Sequence, residues 1–171
     1  QSGNNNILKK IIRRYSRDIF VKTVELIRNT IKDVSITTDV IVGFPDEDEQ
    51  SFEDTYNLCE NIKFSNMHIF PYSKRPKTSA AYFDNHISSE IKSQRVKKLI
   101  ELSKEHKSLF EKSFNKSIRT VLWEESYSKE NKIFWSGLTD NYIKVSTENK
   151  KNIRNIITKV KLDYNDKTCK L

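Results

Sequence analysis

The residues able to do chemistry fall at a few places along the chain. Gln1 and Ser2 carry hydrogen-bonding side chains, and Gly3 behind them lets a ligand or a neighbouring backbone approach closely. Asp39 lies inside the β-branched stretch Val34–Val42, where a carboxylate is either paired or turned toward a ligand, because an unpaired buried charge is costly. Arg13, Arg14 and Arg75 are its candidate partners, and Arg75 can also hold a phosphate or a carboxylate through its planar fork. Cys59 and Cys169 match no Cys-x-x-Cys spacing, so they are expected to be free thiols rather than a zinc site or a redox pair. His68, His86 and His106 share no ligand spacing, and His106 falls on the apolar face of a long helical pattern as a packing residue. From residue 117 onward Trp123, Phe134, Trp135, Tyr142 and Tyr164 alternate with Lys132, Lys144, Lys150, Lys151, Arg154 and Lys159. That mixture suits stacking of bases and neutralisation of phosphates. Only one of the adjacent Phe134 and Trp135 can face a core, and the other is left for solvent or RNA.

Elements must hold these groups in place. Ser16 precedes apolar residues at helical spacing from Ile19 to Ile31, an amphipathic helix to about Lys32, with a shorter helix before it over Asn4–Arg14. Val34–Val42 reads as a buried parallel strand ending at Gly43-Phe44-Pro45. A helix opened by the acidic run Asp46–Gln50 carries Phe52, Tyr56, Cys59 and Ile62 on one face, and Asn66–Phe70 is a second strand before the loop Tyr72-Ser73-Lys74-Arg75-Pro76. Alternating strands and helices predict a βα-repeat with a parallel sheet. A long bridging helix follows over 88–115, with Ile91, Leu99, Leu102, His106, Phe110 and Phe114 near one face. Then come short β-type segments at 118–123, 132–138, 142–145, 156–162 and 168–171, with Gly137, Thr139-Asp140-Asn141 and Asp163–Asp166 as turn chemistry; they predict a small closed β-barrel. The expected domains are 1–116 and 117–171.

The 171 residues carry a net charge of +8, with 36% hydrophobic and 11% aromatic residues, a globular rather than disordered composition. Residues 1–33 hold eight basic against three acidic groups, residues 34–87 four against nine, and residues 117–171 eleven against seven. Both ends are basic, which favours a polyanionic partner such as nucleic acid. No apolar run is long enough to span a bilayer and no signal peptide opens the chain, so no membrane partner and a cytoplasmic location are expected. The chain opens on Gln1 without an initiator Met, which points to a missing N-terminal part.

The segments Gln1-Ser2-Gly3-Asn4-Asn5, Arg13-Arg14-Tyr15, Thr38–Pro45 and Phe70–Thr78, in this order, resemble the C-terminal half of a radical S-adenosylmethionine (SAM) methylthiotransferase. Gly137-Leu138-Thr139-Asp140-Asn141-Tyr142 and the rest of 117–171 resemble the RNA-binding TRAM domain that ends those enzymes. His68-Ile69-Phe70-Pro71-Tyr72-Ser73 is most similar to the branch that thiomethylates threonylcarbamoyladenosine in tRNA. The resemblance implies an α/β fold, a partial (β/α) TIM-like barrel, followed by a five-stranded antiparallel OB-like barrel. It implies SAM as cofactor, tRNA and the missing N-terminal half of the protein as partners, and two 4Fe-4S clusters whose cysteine ligands this chain lacks, so the fragment alone is expected to be inactive. It makes Gln1, Ser2, Asp39, Gly43, Tyr72 and Ser73 candidates for holding SAM, with Gly43 either admitting the adenosyl group or simply turning the chain. Arg75, Lys132, Trp135, Lys144, Lys151 and Arg154 are the candidates for RNA contact. Asp46, Lys77 and Ser79 stand where the family usually has Gly, Gly and Pro, which alters the loops. The competing expectations are a non-catalytic RNA-binding remnant, an enzyme acting on isopentenyladenosine tRNA, and one acting on a ribosomal-protein aspartate.

Overall fold

The computed structural model describes residues 1–164 and the backbone of 168–170; the side chain of Cys169, together with Asp166 and Leu171, lies outside the described residues. The chain divides into two compact units, Gln1–Lys107 and Ser108–Leu171. This division falls before the end of the long helix, because Phe110 and Phe114 pack with the second core.

In the first unit Asn4 caps α1 (Asn5–Lys10), its Oδ1 accepting from the Asn6 and Ile7 N–H groups, and Ser16 caps α2 (Arg17–Thr30) by accepting from the Ile19 N–H. α1 stops four residues short of the expected Arg14, and Ile12 just beyond it has a left-handed backbone, φ 58°. β1 (Thr37–Val42) and β2 (Asn66–Pro71) pair in parallel, in register from Thr37 opposite Asn66 to Val42 opposite Pro71. The crossover between them is α3 (Glu49–Ile62), whose cap Asp48 accepts from the Ser51 N–H at 2.8 Å. The carboxylate there meets the positive end of the helix.

Strand alternation sends Val40, Val42, Met67 and Ile69 to one face, where they pack with Phe52, Leu58, Cys59 and Ile62 of α3. Leu99 and Leu102 of α4 (Ser89–Ser113) complete that core. Asp39, Ile41, His68 and Phe70 take the other face, and Phe70 is half exposed. The stretch read as a fully buried strand is therefore buried on one side only, since the helices cover a single face of a two-stranded sheet. The apolar stripe of α4 begins later than its sequence suggests: Ile91 is exposed, and Arg95, Leu99, Leu102 and His106 form the buried row.

The second unit is built from β3 (Ile118–Lys129), β4 (Lys132–Thr139), β5 (Lys144–Glu148), β6 (Ile157–Asp163) and β7 (Thr168–Lys170). An antiparallel sheet β6-β3-β4-β5 forms the body, and β7 joins β5 at Ser146 opposite Thr168 and β6 along its length, closing the ring. Val121, Trp123, Trp135, Val145, Val160 and Leu162 fill it.

Two expectations change here. Gly137 is not turn chemistry but a buried position inside β4, where a Cβ would stand 2.3 Å from the Leu122 carbonyl oxygen across the ladder. Tyr142 is not in a strand: it sits in the turn before β5 with φ 64°.

Candidate functional site

On the face of β1–β2 turned away from the helices lies an open concavity of about 560 Å³, within the range of small-molecule sites. Gln1, Asp39, Ile41, Phe44, Phe70, Tyr72, Ser73 and Arg75 line it. Four of the six residues expected to hold a cofactor, and Arg75 besides, thus meet at one place, because parallel strands deliver their C-terminal ends to the same side.

Each side chain has a traceable position. The Gln1 carbonyl oxygen accepts from the Ile41 N–H at 3.0 Å, laying the chain start along β1, and its Oε1 accepts from Arg13 Nε at 3.0 Å. Asp39 is paired with none of Arg13, Arg14 and Arg75: its Oδ1 is 3.2 Å from Nδ1 of His68, its direct partner across the ladder. Both side chains are more than half exposed, so the attraction is screened by water. Tyr72 sets its ring edge-on to Phe44 at 5.1 Å between centroids and stacks on His86 at 6.2 Å. Its hydroxyl is buried and has no hydrogen-bond partner.

Ser2 and Gly43 are not on this wall. Ser2 is buried against α3, its Oγ 3.1 Å from Thr55 Oγ1 and accepting from the Asn4 N–H, and the Gly3 N–H donates to the same Thr55 hydroxyl at 2.9 Å. Its hydroxyl fixes the chain to the helix instead. Gly43 serves the turn: its φ is +71°, and the space a Cβ would take is filled by the Lys92 side chain.

That turn is held from α4. The Gly43 N–H donates to Glu47 Oε2 at 2.5 Å, and Arg95 donates to the same oxygen at 2.7 Å and to the Glu47 carbonyl at 2.9 Å. Arg95 also reaches Glu49 at 3.1 Å and lies over the Phe52 ring. Burial pushes the Glu47 carboxyl above its usual range, while the Gly43 N–H and the guanidinium oppose that. Lys92 donates to the Tyr72 carbonyl at 3.3 Å. Both lips of the concavity are therefore fixed by one helix. Sequence reasoning missed Glu47 and Arg95, yet Arg95 stands four residues before Leu99 on the buried stripe, and a cation in such a row requires an internal anion.

The residues present suit an adenosyl compound: an aromatic wall, a carboxylate and a guanidinium around one cleft. They do not suit an iron–sulfur cluster, which needs converging thiolates. Among the described residues no group of three or more His, Cys, Asp or Glu could hold a metal ion, and burial pushes the Cys59 thiol up to about 12, which leaves it inert.

In the second unit the candidate RNA residues are spread along the strands and one loop. Trp135, expected among the RNA contacts, is only 6% exposed and belongs to the core. The outward neighbour is Phe134, whose ring stacks on Tyr127 at 5.6 Å. Lys132 is partly neutralised by Glu148 at 2.9 Å, whereas Lys144 is exposed on the outer side of β5. In the loop after β5, Asn149 and Asn152 accept from the N–H groups of Lys151 and Arg154, and Ile153 is buried between those two basic residues. The loop is thereby anchored with Lys150, Lys151 and Arg154 outward. Tyr164 is tied to the last turns of α4 through Ser108 Oγ at 2.8 Å, with Lys112 over its ring.

Residues 1–59 match the model of the radical SAM superfamily. The chain is 35% identical over 163 residues, 95% of its length, to the threonylcarbamoyladenosine tRNA methylthiotransferase MtaB of Bacillus subtilis, and 39% identical over 158 residues to the protein of that name in Aquifex aeolicus. It is 39% identical over 139 residues, 81% of its length, to the tRNA-2-methylthio-N(6)-dimethylallyladenosine synthase of Natranaerobius thermophilus. The matched regions cover 36%, 36% and 31% of those proteins, so the chain spans about a third of the curated relatives it matches. Among the described residues no helix is long and apolar enough to cross a membrane.

Proposed function

Because the chain belongs to the radical SAM tRNA methylthiotransferase family, we propose that it supplies part of the SAM cleft and a TRAM-type RNA-binding barrel of such an enzyme. The reaction is addition of a methylthio group to C2 of N6-threonylcarbamoyladenosine next to the anticodon of tRNA. The reading is supported chiefly by one observation, the shared concavity of Gln1, Asp39, Tyr72, Ser73 and Arg75.

In this reading Phe44 and Tyr72 offer an apolar wall to adenine. Asp39, steadied by His68, accepts from ribose hydroxyls or the ammonium group, and Arg75 holds the SAM carboxylate or a phosphate of the tRNA. Held by these residues, SAM would supply radical chemistry once it is reduced by a cluster bound elsewhere. Cluster ligands would have to come from outside this segment, which spans about a third of the curated relatives it matches. The threonylcarbamoyladenosine branch is supported by the 35% and 39% identity to two relatives named for it, although a dimethylallyladenosine synthase of Ehrlichia canis matches as much of the chain at 34%. Dimethylallyladenosine is the second reading, favoured by the 39% identity to a synthase of that product.

The cleft is tested by titrating the isotopically labelled chain with S-adenosylhomocysteine and following backbone amide resonances. Shifts should gather at Ile41, Tyr72, Ser73 and Arg75 and leave Ser2, Gly3 and Thr55 unmoved. Saturating ligand that moves none of the first group, or only the second, overturns the assignment.

A further inference from the structure

The turn joining β4 to β5 is held by a network of hydrogen bonds, and besides Asp140 it exposes one aromatic side chain. Thr139, Asn141 and Ile143 are buried, whereas Tyr142 among them is 76% exposed. Thr139 Oγ1 donates to Asn141 Oδ1 at 2.6 Å and accepts from the Ile143 N–H at 2.8 Å. The Thr139 N–H donates to the Ile143 carbonyl, the Tyr142 N–H to the Thr139 carbonyl and the Asp140 N–H to the Thr120 carbonyl, at 3.0, 2.9 and 3.0 Å. With φ 64°, Tyr142 occupies the left-handed region, which a bulky side chain disfavours and which Asn or Gly takes readily. A large aromatic ring without a packing role thus stands where the backbone favours another residue. Backbone strain of this kind concentrates at functional positions.

The charge around the turn is positive. Lys144 lies two residues on and is exposed; Lys159 and Lys161 are exposed on β6, opposite Thr120 and Ile118 at the same end of β3. The nearby carboxylates are engaged, Asp140 with Arg119 at 3.6 Å and Asp163 with Lys116 at 2.9 Å. Resting on the RNA-binding reading above, we infer that Tyr142 is a stacking platform for an unpaired base of the RNA substrate, with Lys144, Lys159 and Lys161 neutralising the phosphates beside it. An exposed ring among lysines selects single-stranded or loop RNA, because only unpaired bases offer a free face; in a duplex those faces are stacked away.

The test uses the whole chain with two probes, a short single-stranded oligoadenylate carrying 2-aminopurine and an RNA duplex of equal length. Tyr142→Asn should melt no lower than the parent, since it relieves the backbone, yet bind the single strand at least about fivefold more weakly. It should leave duplex affinity nearly unchanged, and Tyr142→Trp should restore both affinity and the change in 2-aminopurine emission. Equal single-strand affinity of the parent and Tyr142→Asn overturns the proposal. The RNA-binding reading itself is judged by a separate arm. Replacing Lys144, Lys151 and Arg154 with Ala should flatten the salt dependence of tRNA binding, each lost phosphate contact reducing the log–log slope by about 0.7 on single strands. Should the parent chain bind no RNA at low salt, that reading fails and this proposal fails with it.

Discussion

His106 shows how a single side chain can link pH to the stability of the first unit. It is 5% exposed on the inner row of α4, and its Nδ1 has no hydrogen-bond partner. Burial holds the ring below its ordinary value of 6.5, with Glu105 and Glu60 raising it and Lys63 lowering it further. The unfolded chain therefore takes up a proton near pH 6.5 while the folded one still excludes it. In that window the unfolded state binds more protons, so stability is intact above it and is lost as pH falls through it. The urea midpoint followed through the first unit should drop between pH of about 7.5 and about 5.5, and His106→Leu should remove most of that drop. An unaltered slope in the variant would assign the pH dependence to another group. The buried Glu47–Arg95 pair is a different case: its carboxylate accepts two donors, so it acts as a clamp on the Gly43 turn rather than as a proton store.

Among the elements, β4 depends on one residue without a side chain. Gly137 lies opposite Trp123 just before the irregularity at Trp123/Glu125, and the Leu122 carbonyl occupies the space of a Cβ. Gly137→Ala should lower the stability of the barrel by about 1–3 kcal/mol, the usual cost of overpacking, read as an earlier melting of the near-ultraviolet Trp signal. An unchanged melt would mean that the ladder yields without cost. The same position shows what local pattern reveals and what it hides. Strand and helix periodicity located β1, β2 and the long helix, because alternation and 3.6-residue spacing are written in neighbouring residues. The close approach at Gly137, the inward choice of Trp135 over Phe134 and the partner of Asp39 depend on which strand lies alongside, and register between strands is not a local property. In the concavity, the strand-end residues Gln1, Asp39, Tyr72 and Ser73 were legible from their motifs. Ser2 and Gly43 lie off that wall, which their motifs do not reveal, because short polar residues and glycines serve turns and ligands with the same chemistry.

For the whole molecule the question is what its net charge of +8 is for. The acidic middle of the chain is largely consumed internally. Asp46 pairs with Lys10 at 2.5 Å, Glu47 and Glu49 with Arg95, and Glu53 with Lys98, while Asp48 caps α3 and Asp54 accepts from Asn4. The basic residues of the barrel, Lys144, Lys150, Lys151, Arg154 and Lys159, are exposed, so positive charge there is open to a polyanionic partner. In the proposed reading the first unit offers the cleft for SAM and the second a basic surface for tRNA. The most direct test is to express the full-length protein containing this segment in cells lacking their own tRNA methylthiotransferases, digest the tRNA, and weigh the nucleosides by mass spectrometry. The account predicts the 2-methylthio derivative of N6-threonylcarbamoyladenosine; tRNA that carries only the unthiolated nucleoside, or a methylthio group on dimethylallyladenosine instead, contradicts it.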